Sequence, residues 1–222
     1  MSSSFSGAVG IVGLGNPGEE YLRTRHNAGH WMLMQLAREL GCSNGRDWKS
    51  KNGCRFVKLR REGLDLYLFL PECYMNLSGG PVRQFCDYFK IPLSQLLVLH
   101  DELDLSAGVL RIKWGGSSAG HRGVEDIAQK FGSKEFYRVR LGIGRPSGLG
   151  RGVNPDGAPL AEVGTSAKPP IVKDERVRDW VLNEPRGEEL QLLEEGVAEA
   201  SRAILTLIDQ GFEAAQRTFH KR

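Results

Sequence analysis

Residues Ala8–Leu14 read AVGIVGL, an unbroken apolar run that stops at Gly15-Asn16-Pro17-Gly18. No other feature constrains the fold as tightly. The run is short and rich in β-branched residues, and the glycine-proline cluster after it is a strong turn signal. A strand that is apolar on both faces belongs in the middle of a sheet covered by helices on either side. Apolar residues then recur at Trp31, Met34, Leu36, Ala37 and Leu40. That spacing predicts an amphipathic helix over 27–40, ended by Gly41.

The same alternation continues. Cys54–Leu59 and Leu64–Leu70 read as two strands joined through the charged connection Arg60–Gly63, a hairpin. A loop over 71–80 leads to a short proline-opened helix over 81–89. Leu96–Leu99 is a further apolar strand, ending at His100-Asp101-Glu102, and Val109–Trp114 alternates. The glycine-rich turn Gly115–Gly120 opens a helix over 121–131, and Tyr137–Ile143 alternates again. Gly144–Val172 has little periodicity and reads as a mobile loop. Leu190, Leu193, Val197, Ala200, Ile204, Leu207 and Ile208 place one long helix over 187–211. The expectation is an α/β fold: a single compact domain over 1–222, with a mixed, twisted sheet flanked by helices on both faces.

Length and composition agree. The 222 residues suffice for one substantial core, and 40 % of them are apolar. No apolar stretch approaches the roughly 20 residues of a membrane helix. Met1–Gly10 has no basic start, no long apolar segment and no arginine. The expectation is a soluble intracellular protein. Cys42, Cys54, Cys73 and Cys86 contain no C-x-x-C pair, so free thiols are expected rather than a zinc knuckle.

The net charge of +3 conceals an asymmetry. Arg46–Arg61 holds seven basic residues against Asp47, and Leu105–Arg151 holds nine against Glu125, Asp126 and Glu135. Pro155–Glu199 reverses this, with five basic residues against eleven acidic. Such asymmetry fits a polyanion partner on one face, or ordinary solvated surface charge.

Polar residues gather just beyond strand ends, where open α/β sheets bind ligands: Asn16, His100-Asp101-Glu102 and His121. The Gly15–Gly18 turn lacks the Lys-Ser/Thr of a P-loop, and Pro17 has no N–H to offer a phosphate. The Asn16 amide is instead suited to holding a peptide group. His26 and His30 have the spacing of a zinc helix, but Asn27 stands where the hydrolytic motif needs Glu. Asp101, Glu102 and Asp104 fit a magnesium site, a helix start, or the orienting of a histidine. No G-x-S-x-G marks a serine nucleophile. A His–Asp pair acting on water is the simplest hydrolytic machinery available.

Six motifs appear in order: GLGNPG at 13–18, YLRTRHNAG at 21–29, YMNLSG at 74–79, HDELDL at 100–105, GGSSAGHRGVEDI at 115–127 and RLGIGRP at 140–146. Together they closely resemble the bacterial-type peptidyl-tRNA hydrolases. The resemblance implies a single-domain monomer without metal or organic cofactor, acting on peptidyl-tRNA in the cytoplasm or an organellar matrix. It implies His26 as general base and Asp101 as the carboxylate that orients it. Asn16 and Asn76 would hold the peptide backbone and the reacting carbonyl, with Asn76 stabilising the oxyanion. Tyr21 would lie at the mouth and Met75 along the cleft, with His121 and Arg122 beside the substrate. Lys113 and Arg140 would clamp tRNA phosphate, supported by Arg111.

Two departures from the family pattern stand out. Arg122 follows His121 where many relatives have Asn, and a guanidinium accepts no hydrogen bond. An insertion over 148–172 falls where the family has a shorter segment. The alternative is a non-catalytic RNA-binding relative acting in splicing. A nucleotide-binding switch is disfavoured by the missing P-loop lysine.

Overall fold

A computed structural model describes residues 5–42, 45–146 and 175–220. The expected insertion at 148–172 lies outside the described residues. The strands are β1 (Ala8–Gly13), β2 (Lys49–Lys51), β3 (Cys54–Arg61), β4 (Leu64–Pro71), β5 (Leu96–Glu102), β6 (Leu110–Trp114) and β7 (Tyr137–Gly142). The helices are α1 (Ala28–Glu39), α2 (Gly79–Phe89), α3 (Arg122–Phe131), α4 (Glu175–Leu182), α5 (Glu188–Gln210) and α6 (Phe212–Phe219).

The strands form one sheet in the order β2-β3-β4-β1-β5-β7-β6. β4, β1, β5 and β7 run parallel, while β2, β3 and β6 pair antiparallel at the two sides. The sheet is mixed, as expected. The β3–β4 turn places Glu62 and Gly63 at positive φ (48° and 81°), the backbone twist a two-residue hairpin turn requires. Alternation along β1 sends Val9 and Ile11 to one core with α1 and α5, and Val12 to the other with α2 and α3. Helices therefore cover both faces.

The structure extends the sequence reading at several points, among them α4, where the sequence predicts no element, and α2, which begins at Gly79 within the expected loop. β2 has no apolar pattern and forms by extending the hairpin edge. The single helix expected over 187–211 is followed after Gly211 (φ 89°) by α6. His121 is not the first residue of α3 but its cap, its ring accepting the Val124 N–H.

Close approach of α1 to the sheet positions everything at the carboxyl ends of β1 and β5. A Cβ on Gly29 would lie 2.3 Å from the Leu99 carbonyl oxygen, and one on Gly13 would lie 2.6 Å from that of Gly29. Only glycine at both positions lets the helix start seat against the strand ends. The Leu14 N–H donates to the Leu99 carbonyl at 3.0 Å, and His30 N–H to that of Leu14 at 3.2 Å.

At the far side, β6 is an edge strand whose outward groups are covered by α6. The Ile112 N–H donates to His220 Nε2 at 2.8 Å, and Gln216 Nε2 donates to the Ile112 carbonyl at 3.1 Å. An edge that would otherwise be open to strand pairing is thereby closed. His220 must be neutral to accept. Burial, Arg111 and Arg140 together push it down to about 4.

A histidine depressed in the folded state binds fewer protons than in the unfolded chain between its two pKa values. Its contribution is present above the unfolded value of about 6.5 and is lost as pH falls toward about 4. His220→Gln keeps an acceptor and removes the titration. Urea midpoints at pH 7 and pH 4.5 should show a smaller acid loss in the variant than in wild type. Equal losses would exclude His220 from the titration.

Candidate active site

The centre of the site is Asp101, at the carboxyl end of β5, with its side chain 3 % exposed. His26, on the turn just before α1, places Nδ1 at 2.9 Å and 3.1 Å from the two carboxylate oxygens. His121 places Nε2 at 2.9 Å from Oδ1. Burial alone would raise the Asp101 carboxyl. The electrostatic pull of His26 and His121, with hydrogen bonds from both rings, holds it well below the usual carboxylate range.

The hydrogen-bond pattern settles which ring nitrogen carries each proton. His121 Nδ1 accepts the Val124 N–H at 3.3 Å, so its proton is on Nε2 and points at Asp101. His26 Nδ1, facing only acceptors on Asp101, carries its own proton. With Nδ1 directed at Asp101, His26 Nε2 is the ring nitrogen left facing away from the carboxylate. The ring is 14 % exposed, enough for a water or ester to reach it.

The same accounting bears on metal binding. His26, Asp101 and His121 offer ligand atoms within 4.8 Å of one another. A metal on His121 Nε2 would move its proton to Nδ1, against the Val124 N–H, and break the α3 cap. The residues therefore fit a hydrogen-bonded carboxylate better than a cation. His30 turns away, its ring over Gly15, where a Cβ would lie 2.7 Å from it. Glu102 is paired with Arg140 and Asp104 with Arg145, so these acids are neutralised by arginine.

Asn16 is held by a residue the sequence reading passed over. Asn27 Oδ1 accepts the Asn16 N–H at 2.8 Å, and Asn27 Nδ2 donates to the Asn16 carbonyl at 3.0 Å. Asn16 Oδ1 in turn accepts the Met75 N–H at 2.8 Å, which leaves the Nδ2 donors for a ligand. Arg25 was also missed. Its guanidinium meets Glu189 at 2.6 Å, donates to the carbonyls of Trp180 and Asn183, and stacks 3.8 Å over the Trp180 ring. Buried polar residues on both sides of His26 thus bolt its turn to the sheet end and to the helices. The only sequence signal for them was adjacency within Arg25-His26-Asn27.

The remaining expected residues fall into distinct places. Asn76 is exposed on the turn Met75–Leu77. Tyr21 meets Tyr74 edge-on at 6.4 Å, close to that turn. Arg122 is exposed on the first turn of α3. Met75 departs from the expected cleft lining: its side chain is buried, and a Cβ on Gly123 would lie 2.6 Å from its Sδ. What Met75 presents toward the site is its N–H. His121 departs as well, since both ring nitrogens are engaged within the protein.

The expected clamp residues share one sheet face. Arg111 pairs with Arg140 and Lys113 with Arg138 across β6 and β7. Burial and the neighbouring Arg138 and Arg140 lower the Lys113 pKa. Glu102 meets Arg140 at 3.2 Å, so Arg140 is partly spent, and Arg111 donates to the Leu110 carbonyl. Arg138, not anticipated, is buried and donates to the carbonyls of Ser117 and Gly115.

A sequence model of the peptidyl-tRNA hydrolase family matches residues 10–154. The chain belongs to that family. The solved peptidyl-tRNA hydrolase of Acinetobacter baumannii is similar at 33 % identity, over 99 % of this chain and 97 % of that one, with a TM-score of 0.78. A peptidyl-tRNA hydrolase solved with N-propanol is similar at 33 % identity, over 98 % and 95 %, with a TM-score of 0.75. An arginine-to-glutamine mutant of the A. baumannii enzyme is similar at 34 % identity, with a TM-score of 0.74. The single α/β domain with a mixed sheet is the fold of these hydrolases.

For a peptidyl-tRNA hydrolase built this way, Asp101→Asn is a sharp test. The carboxamide can keep an oxygen facing both rings, but it loses the charge that stabilises an imidazolium and sets an NH2 group against His26 Nδ1 where Oδ2 stood. The expected loss in kcat is about 10²-fold or more, with tRNA affinity nearly unchanged. Steady-state kinetics beside a binding titration would show it. Unchanged kcat with weakened binding would make Asp101 a substrate ligand.

Proposed function

We propose that His26 and Asp101 carry out hydrolysis of the ester between a peptide, or an N-blocked amino acid, and the 3′ end of tRNA. The observation that carries this reading is the His26–Asp101 contact at 2.9 Å, which engages Nδ1 with the carboxylate and leaves Nε2 as the ring nitrogen available to water. His26 Nε2 takes a proton from water as the oxygen attacks the ester carbonyl. Asp101 stabilises the imidazolium that forms. The tetrahedral oxyanion is received by amide donors, with Asn76 the leading contributor and the Asn16 Nδ2 group holding the adjoining peptide. Return of the proton from His26 to the ribose oxygen releases free tRNA.

A positioned base typically contributes about 10²–10⁴-fold and an oxyanion donor about 10²–10³-fold. An ester needs less leaving-group assistance than an amide, so these two effects serve. Tyr21 and the exposed Arg122 flank the substrate entrance. Arg122 extends from a backbone bracketed by His121, which bonds Asp101, and Gly123, which packs on Met75. Arg111, Lys113 and Arg140 form the phosphate-binding face, which supplies affinity without reading sequence. By the same likeness the protein works as a monomer without a cofactor, in the cytoplasm or an organellar matrix. Among the described residues, no helix is long and apolar enough to cross a membrane.

Turnover of an N-blocked aminoacyl-tRNA by wild type and His26→Ala tests the chemistry. Wild type should release the amino acid, and the variant should lose about 10²-fold or more in kcat while staying folded. Tight tRNA binding with no wild-type turnover would point instead to an RNA-binding relative outside catalysis.

Lys113→Ala and Arg140→Ala should each weaken tRNA binding and flatten its salt dependence by about one phosphate contact. KM should rise more than kcat falls, and a minimal substrate lacking most of the tRNA should respond little. Superimposable salt slopes, with collapse of minimal-substrate turnover, would move both residues out of the clamp.

A further inference from the structure

His100 stands in β5 between Leu99 and Asp101 and is completely buried. The strand before it is Leu96-Leu97-Val98-Leu99, and an apolar residue would continue it without cost. The imidazole has a cost: its Nε2 is buried with no hydrogen-bond partner among the described residues. An unmet buried acceptor of this kind is destabilising. Burial, with His121 and Arg138 nearby, lowers its pKa well below that of a free imidazole, so the ring is neutral.

What the ring does with its other nitrogen is specific. His100 Nδ1 lies 2.6 Å from the backbone carbonyl oxygen of Asp101 and donates to it. The ring also meets His121 edge-on, with centroids 4.8 Å apart and planes at 65°. His121 in turn lies 5.0 Å from the His26 ring. Across the sheet, His100 is in register with Arg140, and Arg138 is two residues before it on β7. One side chain thus touches the peptide of Asp101 and the second ring bonded to its carboxylate, and borders the proposed phosphate-binding row.

We propose that His100 is a positioning residue for the catalytic pair. Its Nδ1–H fixes the Asp101 peptide plane, and its ring edge sets the rotation of His121. Between them these contacts hold the carboxylate where it receives both imidazoles. The role rests on the hydrolytic reading of His26 and Asp101. A misplacement near 1 Å in such a constellation costs about 10²-fold in rate.

The test compares two amides. Asn at position 100 places its N–H donor where Nδ1 now sits, whereas Gln places it where Nε2 sits. His100→Asn should keep kcat within about threefold of wild type, and His100→Gln and His100→Leu should lose about tenfold or more, all with nearly unchanged KM for peptidyl-tRNA. The ring N–H resonances of His26 and His121, read by nitrogen-edited NMR without substrate, should persist in the Asn variant and broaden or shift in the other two. If wild type has no turnover, the hydrolytic reading fails, while the NMR comparison still decides the placement of Asp101. Asn and Gln variants alike in kcat and in ring resonances overturn the proposal. So does a set in which all three variants unfold, because His100 would then be structural.

Discussion

One buried carboxylate organises this protein. Moving an ionised Asp101 into a site that is 3 % exposed costs several kcal/mol unless donors replace the lost water. The donors here are two imidazole N–H groups from turns 75 and 20 residues away in sequence. That arrangement requires three chain segments to converge at one sheet end. The Gly13–Gly29 contact lets α1 seat deeply enough to bring His26 there, and the α3 cap brings His121. Arg25 and Asn27 hold the His26 turn from either side. Arg25 itself is a buried charge balanced by Glu189, which ties the His26 turn to α5.

The cationic face follows a second logic. Lys113, Arg138, Arg140 and Arg111 sit side by side on β6 and β7, with Glu102 as the acid in contact. Arg138 is buried against backbone carbonyls, and its pKa is pushed down to about 10 by burial and by Arg140. Cations that depress one another are relieved by an anion between them. The sheet builds that tension in before any ligand arrives, because alternation along two paired strands puts every one of these side chains on the same face. The edge contacts of Gln216 and His220 to Ile112, between Arg111 and Lys113, keep that strand in place.

Much of this was legible in the sequence, for identifiable reasons. The central strand announced itself by Ala8–Leu14 and its turn, and α1 by helical spacing, since burial on a periodic lattice leaves a periodic trace. β2 left none, because Lys49–Lys51 is an exposed edge whose pairing is inherited from the hairpin. The helix end at Gly211 was legible in the spacing, but α6 beyond it was not, because Phe212–Phe219 is too short to leave a clear apolar period. At the site, the candidate residues came through ordered motifs rather than spacing. Which nitrogen of His121 bonds which partner is a property of three-dimensional convergence. So is the locking of Asn16 by Asn27, two residues whose contact no period encodes. Met75 shows the converse: it stands within one of the ordered motifs, while its side chain packs in the core.

The choice of nucleophile follows from what the protein buries. Cys54 and Cys86 lie in the apolar interior, and burial pushes the first thiol strongly up and the second up to about 12. Neither offers a thiolate near neutral pH. Ser78, nearest in sequence to the proposed oxyanion donor, is buried and donates its hydroxyl to the Met75 carbonyl at 2.8 Å. Thr24, beside the His26 turn, donates to the Tyr21 carbonyl at 2.9 Å. Each of these hydroxyls and thiols is committed to structure or held protonated. In the proposed mechanism His26 Nε2 therefore acts on water, by direct attack rather than through a covalent enzyme intermediate. One ring that takes the proton from water and passes it to the ribose oxygen suffices for an ester. An amide needs its nitrogen protonated as the bond breaks, a heavier demand on the same single acid. The proposed site, with one base, one orienting carboxylate and amide donors, would thus match the bond joining a peptide to tRNA and match the peptide bonds beside it poorly.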